Sequence, residues 1–299
     1  MPLSKSTQHA VLNNFRKFFE WLSYQPGYKS KIVFTDASYF TMSFKDSRVA
    51  KANSAKAAPS CEQVKHIITM MPSNSVIELR NRALVAFTLL TAARVGAMAS
   101  AKIKHVDLVE NMFFQDAREM NTKFSKTFPT YFFPVGDEIV KIVTDWIEYL
   151  TEEMLWGLGD PLFPATKIAL GDSQRFEVIG LERKHWGNTT PIRTIFKEAF
   201  THAGLPNFNP HSFRNTLARL GQVFCKGNGE VLKAWSQNLG HESMMMTSII
   251  YGSMSHERQG ELMKSIALQE DKSESDVERI AEAVARKILT QGNLQNVKD

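Results

Sequence analysis

The chain has 299 residues and a mass of 33.8 kDa, with 43% hydrophobic and 22% charged residues, a composition that excludes a disordered polymer and leaves room for one large or two ordinary folded domains. Its longest largely apolar uncharged stretch, residues 83–93, is bounded by Arg82 and Arg94 and is far shorter than the roughly 20 residues a bilayer span requires. The net charge of +5 hints at a polyanionic partner, and the two cysteines, Cys61 and Cys225, form no CxxC pair and suggest neither a disulfide framework nor a thiolate metal site.

In chain order, residues 4–24 read as a helix, because Val11, Phe15, Phe18 and Leu22 recur at helical spacing, and Gln25-Pro26-Gly27 stops it. Residues 28–58 have few apolar periods and end in Asn53-Ser54-Ala55-Lys56-Ala57-Ala58, which reads as an exposed linker. Residues 1–57 hold nine Lys or Arg against three Asp or Glu, whereas 267–299 hold five against seven, so the basic charge leads the chain. Ser60 with Gln63 makes a capping box for a helix whose inner face is Val64, Ile67, Ile68 and Met71. A more apolar helix follows over 76–91, with Arg94 just beyond it. From Ile103 to Val135 the texture turns to strands, Met112-Phe113-Phe114 and Tyr131-Phe132-Phe133, separated by polar, lysine-bearing turns. Helices resume over 137–150, over 190–203 with Pro191 in the first turn and Gly204 as the stop, over 209–224, and in a segment ending at Leu239-Gly240. Ser275 with Glu278 caps a last helix on which Val277, Ile280, Ala281, Val284 and Ile288 form one apolar stripe. The fold class expected is mainly α with a small antiparallel β-sheet.

Four segments carry groups suited to chemistry: Ala93-Arg94-Val95-Gly96, His211-Ser212-Phe213-Arg214, Leu239-Gly240-His241-Glu242 and Ile250-Tyr251-Gly252. Singly each has an ordinary explanation: a capping arginine, an accidental His-x-x-Arg, a histidine near a helix C-terminus and a half-buried phenol. Their order is what signifies. An arginine, a lysine in a β-hairpin, His-x-x-Arg, Leu-Gly-His and a tyrosine ten residues after that histidine together resemble the tyrosine recombinase, or phage integrase, family over roughly residues 58–266. The phrases Leu90-Thr91-Ala92-Ala93-Arg94, Asn209-Pro210-His211-Ser212-Phe213-Arg214 and Trp235-Ser236-Gln237-Asn238-Leu239-Gly240-His241 resemble its catalytic-domain wording.

The resemblance implies an integrase-like catalytic domain over 58–268, preceded by the remnant of a helical DNA-binding domain and linker over 1–57, and followed by a tail helix within 269–299. It implies DNA strand cleavage and rejoining through a 3′-phosphotyrosine, with Tyr251 as nucleophile. A phenol with a pKa of about 10 must lose its proton during attack, and His211 stands ready to take it or to order the phosphate. Arg94 and Arg214 suit the non-bridging oxygens, since a guanidinium matches phosphate geometry and stays charged throughout. His241 would add a hydrogen bond. The general acid for the departing 5′ oxygen is a hairpin lysine: Lys123 has the family's Thr-Lys wording, Lys126 the better spacing to Pro134, and the wording favours Lys123. Neither metal nor ATP nor any other cofactor is implied. Three departures stand out: Ala97 occupies the position where many members carry a glutamate, His241 and Tyr251 are one residue further apart than usual, and at most 57 residues precede the catalytic part, where members usually place a four-helix DNA-binding domain of about a hundred, as expected of a fragment or a shortened recombinase. The partners implied are double-stranded DNA and further copies of the chain, a tetramer on paired sites with residues 275–289 as the docking segment, and the compartment is the cytoplasm, at the nucleoid in a bacterium. Two other activities share the fold: a non-catalytic DNA-binding protein, and type IB topoisomerase-like nicking and resealing.

Overall fold

The computed structural model describes residues 2–52, 57–171, 174–225 and 228–240. Helix α1 (Lys5–Leu22) begins where the Ser4 hydroxyl accepts from the Thr7 amide. Its aromatic stripe meets a short 3-10 turn, Phe34–Tyr39, and helix α2 (Phe44–Lys51): Phe19 stacks on Phe40 at 4.8 Å, and Lys5 pairs with Asp46 at 3.0 Å. None of α1 is buried, and Phe15 and Phe18 of the expected inner face are 48% and 50% exposed, because one turn and one eight-residue helix cannot cover it. Residues 28–58, which show few apolar periods, contain α2 ahead of the expected linker at 53–58. Eight residues capped by Ser43 are too short to show a period in sequence.

The main core begins at helix α3 (Cys61–Met70). Its capping box is reciprocal, with the Gln63 amide donating to the Ser60 hydroxyl at 3.1 Å and the Ser60 amide to the Gln63 side chain at 2.9 Å. Helix α4 (Val76–Thr91) opens with the same device, Ser75 and Glu78, and runs through this core, with ten buried residues. Phe87 on it meets Phe113 at 4.9 Å, Phe163 at 5.4 Å and Phe132 at 6.4 Å, edge to face. Burying each such ring contributes about 1.5–3 kcal/mol. Helix α5 (Val95–Ser100) follows α4 after a sharp turn.

Strands β1 (Val106–Asp107), β2 (Met112–Gln115) and β3 (Phe128–Tyr131) form an antiparallel sheet in the order β1-β2-β3, with Phe113 opposite Thr130. Helix α6 (Asp137–Glu148) packs on α4 and runs into a π turn, Tyr149–Glu153. A second antiparallel pair, β4 (Ala165–Leu170) and β5 (Phe176–Glu182), was not anticipated. Most of its side chains are exposed, so it lacks the apolar alternation that marks a half-buried strand. It is held from below by Arg80, 3% exposed, whose guanidinium donates to the Pro164 carbonyl and the Thr166 hydroxyl, both at 2.9 Å, and lies 5.0 Å from the Trp186 ring. Helices α7 (Thr190–His202), α8 (Ser212–Cys225) and α9 (Gly229–Asn238) close the core, with Phe196 of α7 against Phe213 of α8 at 5.1 Å. Among the described residues helices predominate over small antiparallel sheets, as expected, the β4–β5 pair being additional to the one sheet expected.

Candidate active site

The first arginine is placed by a helix stop. At the end of α4 the Thr91 hydroxyl donates to the Phe87 carbonyl at 2.7 Å and accepts from the Ala93 amide at 3.2 Å, while Ala92 turns left-handed at φ 51°. A non-glycine residue in that region costs about 1 kcal/mol and is held there by its surroundings. The turn makes Arg94 the half-buried N-cap of α5, with its carbonyl accepting from the Met98 amide at 3.0 Å.

The second arginine comes from the first turn of α8. Asn209 forms the entry, its carbonyl accepting from both the amide and the hydroxyl of Ser212, at 2.9 and 2.7 Å. His211 is exposed just ahead of the helix and Arg214, one turn on, is 3% exposed. The Arg214 guanidinium donates to the Ala92 carbonyl at 2.7 Å and to the Leu239 carbonyl. One side chain therefore fastens the turn before Arg94 to the end of α9, drawing together parts of the chain that are 122 and 25 residues away from it. Gly240, left-handed at φ 69°, ends α9 as its position predicted. His241 and Tyr251, which follow, and the 275–289 helix lie outside the described residues.

The lysine-bearing connection between β2 and β3 is fastened at both ends. At its start the Asn121 amide donates to the Ser100 hydroxyl of α5 at 2.9 Å, and a Cβ on Gly96 would stand 3.1 Å from the Asn121 carbonyl. At its end Asn238 of α9 grips the backbone of β3: the Tyr131 amide donates to Oδ1 at 2.7 Å and Nδ2 donates to the Tyr131 carbonyl at 2.8 Å. Lys123 opens a 3-10 turn, Lys123–Ser125, in which Phe124 and Ser125 have φ of 59° and 50°. Lys126 is half-buried, its ammonium 6.0 Å from the Phe124 ring centroid, and it lines a cavity of about 670 Å³ with Phe128, Tyr131, Gln237, Asn238 and Gly240.

Ahead of the connection, the Glu119 carboxylate accepts from Lys102 and Lys104, each at 2.8 Å, and these ammonium groups hold it down to about 2. Arg118 does the same for Asp116, also to about 2. Burial pulls the neighbouring His105 below its ordinary value, with its Nδ1 accepting from the Lys102 amide at 3.0 Å. Ser100, Glu119 and Asn238 were missed as site-building residues. Only Asn238 left a signal, as part of the Trp235–His241 phrase. Among the described residues no group of three or more His, Cys, Asp or Glu side chains is placed to hold a metal ion.

The structure thus brings together the turn bearing Arg94, the buried Arg214, the exposed His211 one turn from it, the backbone leading into His241, and the connection bearing Lys123 and Lys126. The phage integrase family model matches residues 60–258. Comparison with curated proteins gave no match. Among solved structures, a lambda integrase(75-356) dimer bound to a COC′ core site superposes with a TM-score of 0.52 at 14% identity, over 85% of this chain and 81% of that one. XerH site-specific recombinase bound to palindromic difH substrate, a post-cleavage complex, superposes with a TM-score of 0.52 at 16% identity, over 90% of this chain and 73% of that one. At such identities the likeness is one of fold.

Proposed function

The chain belongs to the phage integrase family and is by that membership a tyrosine recombinase acting in site-specific DNA recombination; we propose that it works through Tyr251, served by Arg94, His211, Arg214, His241 and a lysine of the β2–β3 connection. The observation that carries this reading is the Arg214 bridge, which sets the Arg94 turn and the entry to His241 on either side of one guanidinium. In the cleavage step the Tyr251 oxygen forms a bond to phosphorus in line with the departing 5′ oxygen, and that P–O bond breaks. The phenol's proton passes towards His211, and the lysine ammonium gives its proton to the leaving oxygen, a contribution of roughly 10²–10⁴ in rate. Arg94 and Arg214 stabilise the charge that collects on the non-bridging oxygens, and His241 donates to the same group. Religation reverses the sequence on a new 5′ hydroxyl, with the phosphodiester's energy kept in the phosphotyrosine bond.

For the general acid, Lys123 has the support of its Thr-Lys wording, and Lys126 that of lining the cavity that Gly240 borders. Double-stranded DNA is the substrate, bound by a tetramer on paired sites in which residues 275–289 dock on a neighbouring copy. No described helix is long and apolar enough to cross a membrane, and the compartment proposed is the one that holds the chromosome, the cytoplasm.

The test uses a pool of nicked duplexes with a randomised centre, from which SDS-stable protein–DNA adducts are selected and sequenced. The wild type is expected to enrich one sequence and Tyr251→Phe to give no adduct. DNA binding without any adduct would make the chain a binding module, and plasmid relaxation without recombinant product would make it a topoisomerase.

A further inference from the structure

Strand β3 is the outer strand of its sheet, so the backbone groups on its far side have no strand to pair with. Tyr131 presents its N–H and C=O to that side, while the next residue, Phe132, donates from its amide to the Asn111 carbonyl at 2.7 Å. The Asn238 amide takes both Tyr131 groups at once and so behaves as one residue of a fourth strand. The Thr130 hydroxyl adds a longer contact, 3.4 Å, to the Asn238 carbonyl, and itself accepts from Gln115 at 2.9 Å. Among uncharged side chains only the carboxamides, Asn and its longer homologue Gln, offer a planar acceptor and donor side by side. Asn is also a poor helix former, costing several tenths of a kcal/mol relative to Leu or Ala at a helical position. Its place as the last residue of α9 is explained by the amide pair, not by the helix.

What this pair joins is specific. On one side is the strand into which the Lys123–Lys126 connection runs; on the other is the residue three before His241. The sheet does not depend on it, since β3 is already paired along its length with β2, and α9 is already seated by Trp235, whose indole N–H donates to the Leu217 carbonyl at 2.9 Å. With both elements anchored elsewhere, the remaining consequence of the Asn238 pair is the register between them.

We propose that Asn238 is a positioning residue: its amide, paired with the Tyr131 backbone, holds the lysine-bearing connection in register with the Leu239-Gly240 turn that precedes His241 in the chain, so that the leaving oxygen is protonated while the phosphate is gripped. The inference rests on the recombinase reading above and holds for whichever of the two lysines is the acid, since both lie between the Ser100 and Asn238 attachments.

The experiment compares wild type, Asn238→Ala and Asn238→Asp on the nicked duplex selected above, made once with an ordinary scissile phosphodiester and once with sulfur in place of the bridging 5′ oxygen. On the sulfur substrate the Tyr251 O–P bond forms, the P–S bond breaks and the electron pair leaves on a thiolate that needs no proton, so a defect confined to proton delivery disappears. Both variants are expected to bind the duplex as the wild type does, to form adduct on the phosphodiester roughly 10- to 100-fold more slowly, as a displacement of about 1 Å would cause, and to recover to within about twofold of wild type on the sulfur substrate. Lys123→Ala and Lys126→Ala are the comparators, one of which should show the same recovery. Equal loss on both substrates, no loss on the phosphodiester, or failure of both Asn238 variants to fold in a thermal melt would each overturn the inference. Adducts that persist in Tyr251→Phe, or none with the wild type, would instead overturn the recombinase reading on which it rests.

Discussion

The proposed mechanism gives the Arg214 side chain a second task besides its structural one. Its guanidinium holds two backbone carbonyls, Ala92 and Leu239, at 3% exposure, and the same charge faces the phosphate in the proposed mechanism. Truncation to alanine therefore leaves two buried acceptors without their donor as well as a void, and should destabilise by about 2–4 kcal/mol, read as a lower denaturant midpoint. Lysine keeps the charge but cannot reach both carbonyls with a planar fork, so Arg214→Lys should recover part of the stability and little of the adduct formation. A variant as stable as the wild type would show that the bridge is dispensable to the fold. Glu119 makes a prediction about pH. Its folded value, about 2, lies below the ordinary 4.5, because Lys102 and Lys104 donate to it; its contribution is therefore complete above pH 5 and fades as pH falls towards 2. Asp116, also held near 2 by Arg118, fades over a similar range. Melting temperatures of wild type and Glu119→Gln should differ most at neutral pH and converge by about pH 2; a constant difference would sink the assignment.

Among the helices, the α8–α9 pair shows how close packing decides the sign of a substitution. Replacing a mid-helix glycine by alanine ordinarily stabilises by about 1 kcal/mol. At Gly221 of α8 the new Cβ would lie 2.5 Å from Nε1 of Trp235, whose ring also stacks on Phe224 at 5.9 Å and meets Phe133 at 4.9 Å. Gly221→Ala should therefore destabilise by about 1–3 kcal/mol, shift tryptophan emission to the red as the indole leaves its Leu217 partner, and slow adduct formation by moving the end of α9. A stabilised variant with unchanged emission would mean the two helices part without cost. The elements legible in sequence were those punctuated locally: Ser60 with Gln63 opens α3, Pro191 sits in the first turn of α7, and Gly240 stops α9. The candidate site residues Arg94, His211 and Arg214 stood out for a different reason, the order of four short phrases. What stayed hidden was decided across long separations. Asn238 meets Tyr131 at 107 residues' remove, Arg80 reaches Pro164 at 84, and β4 and β5, exposed on most of their length, carry no apolar alternation to announce them. Helix α5 escaped because six residues are less than two turns.

Charge is unevenly spread along the whole chain, as is exposed aromatic surface among the described residues, and the unevenness has a measurable consequence for DNA. Residues 1–57 hold nine of the 36 Lys and Arg and only three of the 31 Asp and Glu. In the same region Trp21, Tyr24 and Tyr28 are 57%, 62% and 47% exposed, beside Lys29 and Lys31 in the turns that follow α1. Elements α1, the 3-10 turn and α2 pack chiefly on one another, so this surface contributes little to the main core and is available to the DNA backbone. Binding through phosphates releases counterions, and each contact adds about 0.9 to the slope of log affinity against log salt on duplex DNA. Such contacts carry no sequence information. Changing Lys29 and Lys31 to Gln together should therefore lower that slope by up to about 2 and weaken the selected duplex and a scrambled one by the same factor, leaving their ratio unchanged. Fluorescence anisotropy titrations between about 50 and 300 mM salt read both quantities. An unchanged slope would place the N-terminal basic surface away from DNA, and a change in the ratio would make these lysines readers of sequence.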